Sequence, residues 1–173
     1  MGIKILFLGE IVGKAGVYCI KSNLKALKKE YAADFVIANG DGVTGGFGLG
    51  KNHSIYLRKL GINVITLGDC AYYKKDMVEH IQHSSYILRP VNYPQGNPGR
   101  GWRYHSVGDK KLAVICTLGQ SGFPRHHLSN PFSQLPSLID HIKSQTSTIL
   151  IDFHALTTAE KWSLFYHLDG SAS

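Results

Sequence analysis

Short apolar runs alternate with longer amphipathic stretches along the first half of the chain. Ile3–Leu8 is an apolar run closed by Gly9, the pattern of a buried strand. Val17, Ile20, Leu24, Leu27 and Tyr31 then recur at steps of three and four, opposite Lys21, Lys25 and Lys28. That spacing predicts a helix with one buried face. Phe35–Ala38 predicts a second strand, and Ile62–Leu67, closed by Gly68, a third. A glycine-rich loop lies between them from Gly40 to Gly50, and a short helix over His53–Leu60 should stop at Gly61. Asp76–Gln82 reads as a further helix. This rhythm predicts an α/β fold with parallel strand pairing in this half.

The second half has a different texture. Asn92–Gly101 is rich in Pro, Gly and Asn and reads as loop. Arg103–Val107 and Leu112–Thr117 flank Gly108–Lys111, which predicts an antiparallel hairpin. Gly119–Pro131 is expected to be loop. Gln134–Lys143 should be helical, with Leu135, Leu138, Ile139 and Ile142 on one face. Thr148–Phe153 predicts a strand. Thr157 and Glu160 have capping-box spacing ahead of a last helix over Lys161–Leu168. No repeat or linker interrupts the chain, so residues 1–173 are expected to form one domain.

Composition narrows the class. Of 173 residues, 43% are hydrophobic and 18% charged, enough to build a core and exclude wholesale disorder. No apolar run approaches the ~20 residues of a bilayer-spanning helix, so no membrane partner is expected. The first residues lack the pattern of a secretory signal. Cys19, Cys70 and Cys116 are too few and too scattered for a disulfide framework or a metal knuckle. A cytoplasmic location follows as an expectation. The net charge of +7 suits a nucleotide, RNA or another acidic partner, although a generic basic surface gives the same figure.

Candidate chemistry gathers at strand ends, where ligands bind in open α/β sheets. Glu10 follows the first strand, Asp41 the second and Asp69 the third, while His154 follows the late strand. Each alone could be a loop residue or a helix cap. Together they form a candidate set of metal ligands. Gly42, Gly45 and Gly46 in the glycine loop could offer backbone N–H groups to phosphate. The plainer reading is a turn that needs positive φ, and the loop lacks nucleotide P-loop order. Lys14, in Gly13–Lys14–Ala15–Gly16, opens a helix that could face an anion. Arg89, Arg100 and Arg103, with Tyr93, Trp102 and Tyr104, surround the Pro/Gly loop. They could meet nucleotide phosphates and bases, or simply pack.

The ordered motifs resemble the YmdB-like branch of the calcineurin-like metallophosphoesterases. They are Gly9–Glu10–Ile11–Val12–Gly13–Lys14, Phe35–Val36–Ile37–Ala38–Asn39–Gly40, Gly45–Gly46–Phe47–Gly48 and Val64–Ile65–Thr66–Leu67–Gly68. Leu88–Arg89–Pro90–Val91–Asn92–Tyr93–Pro94, Pro98–Gly99–Arg100–Gly101 and Ile151–Asp152–Phe153–His154–Ala155 continue the series, with Thr158 and Glu160–Lys161 at its end. The resemblance implies a sandwich of mixed sheets flanked by helices. It also implies a two-metal phosphodiesterase chemistry, in which paired ions clamp the phosphate and activate water.

The working positions depart from the family pattern. Glu10 stands where the family has Asp, Asp41 where it has a bridging Glu, and Gly42 where it has Asn. Asp69 replaces a metal-binding Asn, and Cys70 replaces the histidine that serves as acid. A thiol with a reference pKa of ~8.5 is a poor general acid beside a histidine near ~6.5. His154 matches the family histidine. The family's Gly-Thr-His-Thr-His motif would follow Leu168–Asp169–Gly170 and has no counterpart here, with His126, His127 or His167 as the conceivable replacements. The expectation is therefore one divalent cation (Mn, Mg or Fe) rather than two. The expected function is binding or assembly with little or no hydrolysis. The alternatives are a metal-dependent phosphodiesterase on 2′,3′-cyclic nucleotides or similar phosphodiesters, and RNA or nucleotide binding without turnover. A fold lacking its last strands is expected to pair with a second copy or a protein partner.

Overall fold

The computed structural model describes residues 2–123 and 128–173. Two sheets lie face to face with helices outside each. The first sheet contains β1 (Ile5–Leu8), β2 (Phe35–Asn39), β3 (Val64–Thr66) and β4 (Ile87–Leu88), in that order and all parallel. Its outer face carries α1 (Gly13–Glu30), α2 (Lys51–Leu60) and α3 (Lys75–His83). The second sheet runs β5 (Trp102–Val107), β6 (Lys110–Leu118) and β7 (Ile149–His154). The β5–β6 hairpin is antiparallel, as expected, whereas β6 and β7 are parallel. Helices α4 (Pro131–Lys143) and α5 (Thr158–His167) cover the outer face of this sheet.

Alternation along the strands divides the apolar residues among three layers. On β2, Phe35 and Ile37 enter the layer between the sheets, while Val36 and Ala38 meet the helices. On β6, Leu112, Val114 and Cys116 face the first sheet, and Ala113 and Ile115 face α4 and α5. This period of two is what a strand buried on both sides requires.

Several boundaries differ from the sequence reading. β1 is an edge strand and only partly buried, with Phe7 42% exposed, so its apolar run does not mark a fully enclosed strand. The two-residue β4 is too short to leave a periodic signature. α4 starts at Pro131 rather than Gln134. The Asn130 side chain accepts from Phe132 N at 2.9 Å, and Pro131 suits the first helical position. The capping box of α5 is half made. Thr157 Oγ1 accepts from Glu160 N at 3.3 Å, but the Glu160 carboxylate accepts from Gln120 N at 2.7 Å and Ser121 N at 3.2 Å instead. α2 ends as expected, on Gly61 in the left-handed region at φ 107°.

Asn92, fully buried, ties the 89–101 loop to the second sheet. It donates to Leu118 O at 2.7 Å and accepts from Leu118 N at 3.0 Å. No helix among the described residues is long and apolar enough to cross a membrane. On α5, Trp162, Phe165 and Tyr166 are more than half exposed and touch one another, the Trp162 and Tyr166 rings stacking at 5.8 Å.

His105 on β5 packs its ring against Phe35 at 5.4 Å, and its buried Nε2 has no hydrogen-bond partner. Burial, aided by the charges of Arg103 and Arg58, lowers its pKa to about 4. Between a normal histidine pKa of ~6.5 and that value, the unfolded chain holds a proton that the folded chain refuses. The stability contributed by neutral His105 is therefore present above this window and lost as pH falls through it. The melting temperature should fall more steeply between these pH values in the wild type than in His105→Phe. Equal slopes in thermal melts would contradict this account.

Candidate metal centre

Three parallel strands of the first sheet and β7 of the second end on the same side of the sandwich. Their carboxyl ends carry the site. The turn after β2 brings round Asp41, which is 2% exposed. Its Oδ1 accepts from Gly68 N at 2.7 Å, its Oδ2 from Cys70 N at 3.0 Å, and its own N–H donates to Asn39 Oδ1 at 3.0 Å. The turn after β3 carries Asp69, whose Oδ1 lies 3.2 Å from His154 Nε2 at the end of β7. Donor atoms of Asp41, Asp69 and His154 all lie within 4.8 Å of one another. Two carboxylates and an imidazole form an oxygen-rich set of the kind that suits a divalent cation.

The electrostatics follow from burial and proximity. Burial raises the Asp41 pKa, against the two backbone N–H bonds and the field of His154. For His154, burial disfavours the charged ring. The Asp69 hydrogen bond and the fields of Asp41, Asp69 and Glu10 outweigh it, so the pKa rises. The Cys70 thiol is pushed up to about 12, first by burial and then by the charges of Asp41 and Asp69. It remains a protonated thiol at neutral pH.

Not every predicted residue joins the cluster. Glu10 is exposed. It lines a cavity of about 390 Å³ together with Asn39, Asp152, His154 and Lys161, so it borders the site from the rim. The sequence marks Glu10, Asp41, Asp69 and His154 as one candidate set, and the structure brings Asp41, Asp69 and His154 together while Glu10 stays at the rim. The glycine loop has φ values of 73°, 87° and 79° at Gly45, Gly46 and Gly48, which gives those glycines a conformational role. Gly46 N–H is bonded inside the loop to Gly42 O at 3.1 Å. At Gly42, a Cβ would stand 2.5 Å from Glu10 Oε1. His167 turns away from the site, its Nε2 lying 2.9 Å from Phe132 O. His126 and His127 lie outside the described residues.

Two supporting residues escaped the sequence reading as members of the site. Asn39 Nδ2 donates to Asp152 Oδ2 at 3.2 Å, and both residues are buried. This bond joins the two sheets beneath Asp41. Burial raises the Asp152 pKa, opposed by hydrogen bonds from Thr66 and Asn39. The available signal was a polar residue at or near the end of each of two otherwise apolar strands.

Candidate metal-ligating side chains at the carboxyl ends of parallel strands, in a two-sheet sandwich flanked by helices, are the layout of a metallophosphoesterase-type fold. The chain belongs to the YmdB-like protein family, whose model matches residues 6–173. A 2′,3′-cyclic-nucleotide 2′-phosphodiesterase of Bacillus subtilis is 36% identical over 171 residues, covering 99% of this chain and 64% of the relative. The crystal structure of a phosphatase from Mycoplasma pneumoniae superposes with a TM-score of 0.92 at 34% identity, covering 99% of this chain and 62% of that one. A hypothetical protein from Thermus thermophilus superposes at 0.88 with 31% identity, covering 98% and 64%. This chain thus spans less than two thirds of the length of these relatives.

Gly68 has no room for a side chain. A Cβ there would lie 2.8 Å from Asp41 Oδ2 and 2.8 Å from His154 Cγ. Gly68→Ala should weaken Mn²⁺ binding by on the order of tenfold or more, as loss of ligand support commonly does, while leaving the circular dichroism spectrum unchanged. Calorimetric titration measures the affinity, and wild-type Mn²⁺ affinity in the variant would refute the close packing as a determinant.

Proposed function

We propose that this chain is a divalent-cation-dependent phosphodiesterase domain acting on small phosphodiesters, with 2′,3′-cyclic nucleotides as its substrate class. The observation that carries the reading is the meeting of Asp41, Asp69 and His154 within 4.8 Å, on loops and a strand end from both sheets. The activity named for the Bacillus subtilis relative supports the substrate class. A cation held by these residues supplies Lewis-acid polarisation of a phosphoryl oxygen and activation of water. The chain's own residues do the rest. Gly68 and Cys70 N–H groups orient the Asp41 carboxylate, and Asp69 orients the His154 ring. Lys161, beside His154 on the cavity wall, offers an ammonium to the phosphate. Glu10 and the loop of Gly42, Gly45 and Gly46 are assigned to positioning substrate at the rim. The unpaired cysteines support a reducing, cytoplasmic setting.

A second reading, phosphodiester binding without turnover, is favoured by Cys70. A thiol with a pKa of about 12 gives up its proton too reluctantly to assist a leaving group. Hydrolysis should therefore be slow, and Cys70→His should raise kcat. A gain on the order of 10²-fold would match the usual worth of a positioned general acid. The assay is hydrolysis of bis-p-nitrophenyl phosphate and 2′,3′-cyclic AMP with Mn²⁺. The proposal expects turnover that Asp41→Ala removes. Binding of the cyclic nucleotide with no Asp41-dependent turnover, in wild type and Cys70→His alike, would replace it with the second reading.

The aromatic face of α5 supports a further part of the proposal, association with a second copy of the chain. Trp162, Phe165 and Tyr166 expose contiguous apolar surface of the kind that marks interaction sites. Sedimentation equilibrium at micromolar concentration should show a dimer or larger species that Trp162→Ser weakens. A monodisperse monomer would sink this part alone.

A further inference from the structure

Arg89 follows β4 and is buried, with 8% of its surface exposed. Its Nη1 donates to Pro90 O at 2.7 Å and to Val91 O at 3.3 Å, while its buried Nε has no hydrogen-bond partner. The ion pair among the described residues is His154–Asp69, so no carboxylate among them stands within pairing distance of this buried guanidinium. Taking a charge out of water without a counter-charge is costly. Tyr72, whose hydroxyl donates to Pro98 O at 2.6 Å, interacts with Arg89 through both its charge and a side-chain hydrogen bond, but offers it no counter-charge at neutral pH.

Two more arginines join it. Arg89, Arg100 and Arg103 line one cavity of about 340 Å³ with Val91, Trp102 and Tyr104. No acidic residue among the described residues lines it. The arginines are brought together by backbone pairing: Arg89 N donates to Arg100 O at 3.0 Å, and Arg100 leads directly into β5. The cavity shares no lining residue with the one beside His154. Three arginines line one recess without an acidic residue among its described lining, and a guanidinium is suited to paired hydrogen bonds with an oxyanion.

We propose that the Arg89–Arg100–Arg103 cavity binds a phosphate dianion, free or as the terminal group of a phosphomonoester, at a second site separate from the Asp41–Asp69–His154 centre. The proposal does not rest on the phosphodiesterase reading. The anion meets the buried Arg89 charge, and Arg100 and Arg103 close on it from the more accessible side. Trp102 on the cavity wall supplies an optical signal.

The test uses the full chain carrying Trp162→Phe, so that Trp102 is the remaining tryptophan. EDTA is present throughout, which keeps the cation centre out of the measurement, and ionic strength is constant. Fluorescence and calorimetry follow titration with inorganic phosphate and, separately, with AMP. At least one should bind saturably, while adenosine and acetate should not. Tighter binding of AMP identifies an ester as the ligand, and tighter binding of inorganic phosphate identifies the free ion. Arg100→Gln and Arg103→Gln should each raise the dissociation constant by about tenfold or more, the scale of a lost charge-assisted bond. These two variants avoid the buried Arg89, and an unchanged melting temperature confirms their folding. The proposal is overturned if neither ligand produces heat or fluorescence change up to about 10 mM, beyond even millimolar affinity. It is also overturned if adenosine binds as well as AMP, or if both glutamine variants bind as wild type does.

Discussion

The carboxylate of Asp41 joins the turn after β2 to the turn after β3 through two backbone N–H groups, those of Gly68 and Cys70. Asn39 extends the connection. It holds the Asp41 N–H with one side-chain atom and reaches Asp152 on β7 with another. Loops from one sheet and a strand from the other thereby share one buried polar network. Such a network rigidifies a site when its members are satisfied and is costly when they are not. The close approach at Gly68 is part of the same constraint, because Asp41 and His154 occupy the space that a side chain would need.

This network also accounts for the chemistry left to neighbouring groups. Asp41 is oriented by hydrogen bonds rather than by bulk water, and Asp69 is paired to His154. Burial first, and then the negative field of these carboxylates, raises the Cys70 pKa, while for His154 the Asp69 hydrogen bond and that field outweigh burial and raise it too. For His154 the result is a better-held partner of Asp69. For Cys70 it is a locked thiol, unsuited to proton delivery. One electrostatic environment thus favours cation binding and disfavours acid catalysis from the position next to Asp69.

The arginine cavity has the opposite sign of imbalance. Around Asp41, carboxylates outnumber the positive groups. Around Arg89, guanidinium groups gather with no carboxylate among the described lining residues. The fold keeps them apart by placing them on different segments. The Asp41–Asp69–His154 cluster lies at the carboxyl ends of β2, β3 and β7, and the arginines lie where β4 gives way to the loop entering β5 and in β5 itself. The net charge of +7 carries no information about this division.

The class of fold was legible in local pattern. The short apolar runs that became β2 and β6, the amphipathic stretch that became α1, and Gly61 closing α2 are set by side-chain polarity and backbone sterics within a few residues. Strand-end placement marked Asp41, Asp69 and His154 for the same reason. Other features depend on which strand neighbours which. Phe7 is exposed because β1 has a partner on one side only, and a single strand cannot encode its position in the sheet. Glu160 leaves its expected cap because the Gln120 and Ser121 N–H groups reach it first across forty residues of chain. His154 meets Asp41 and Asp69, and Glu10 stays at the rim, because packing between the sheets sets where β7 ends relative to the turns after β2 and β3. Local sequence fixes the donors and the direction of each strand, and the inter-sheet contacts decide which donors meet.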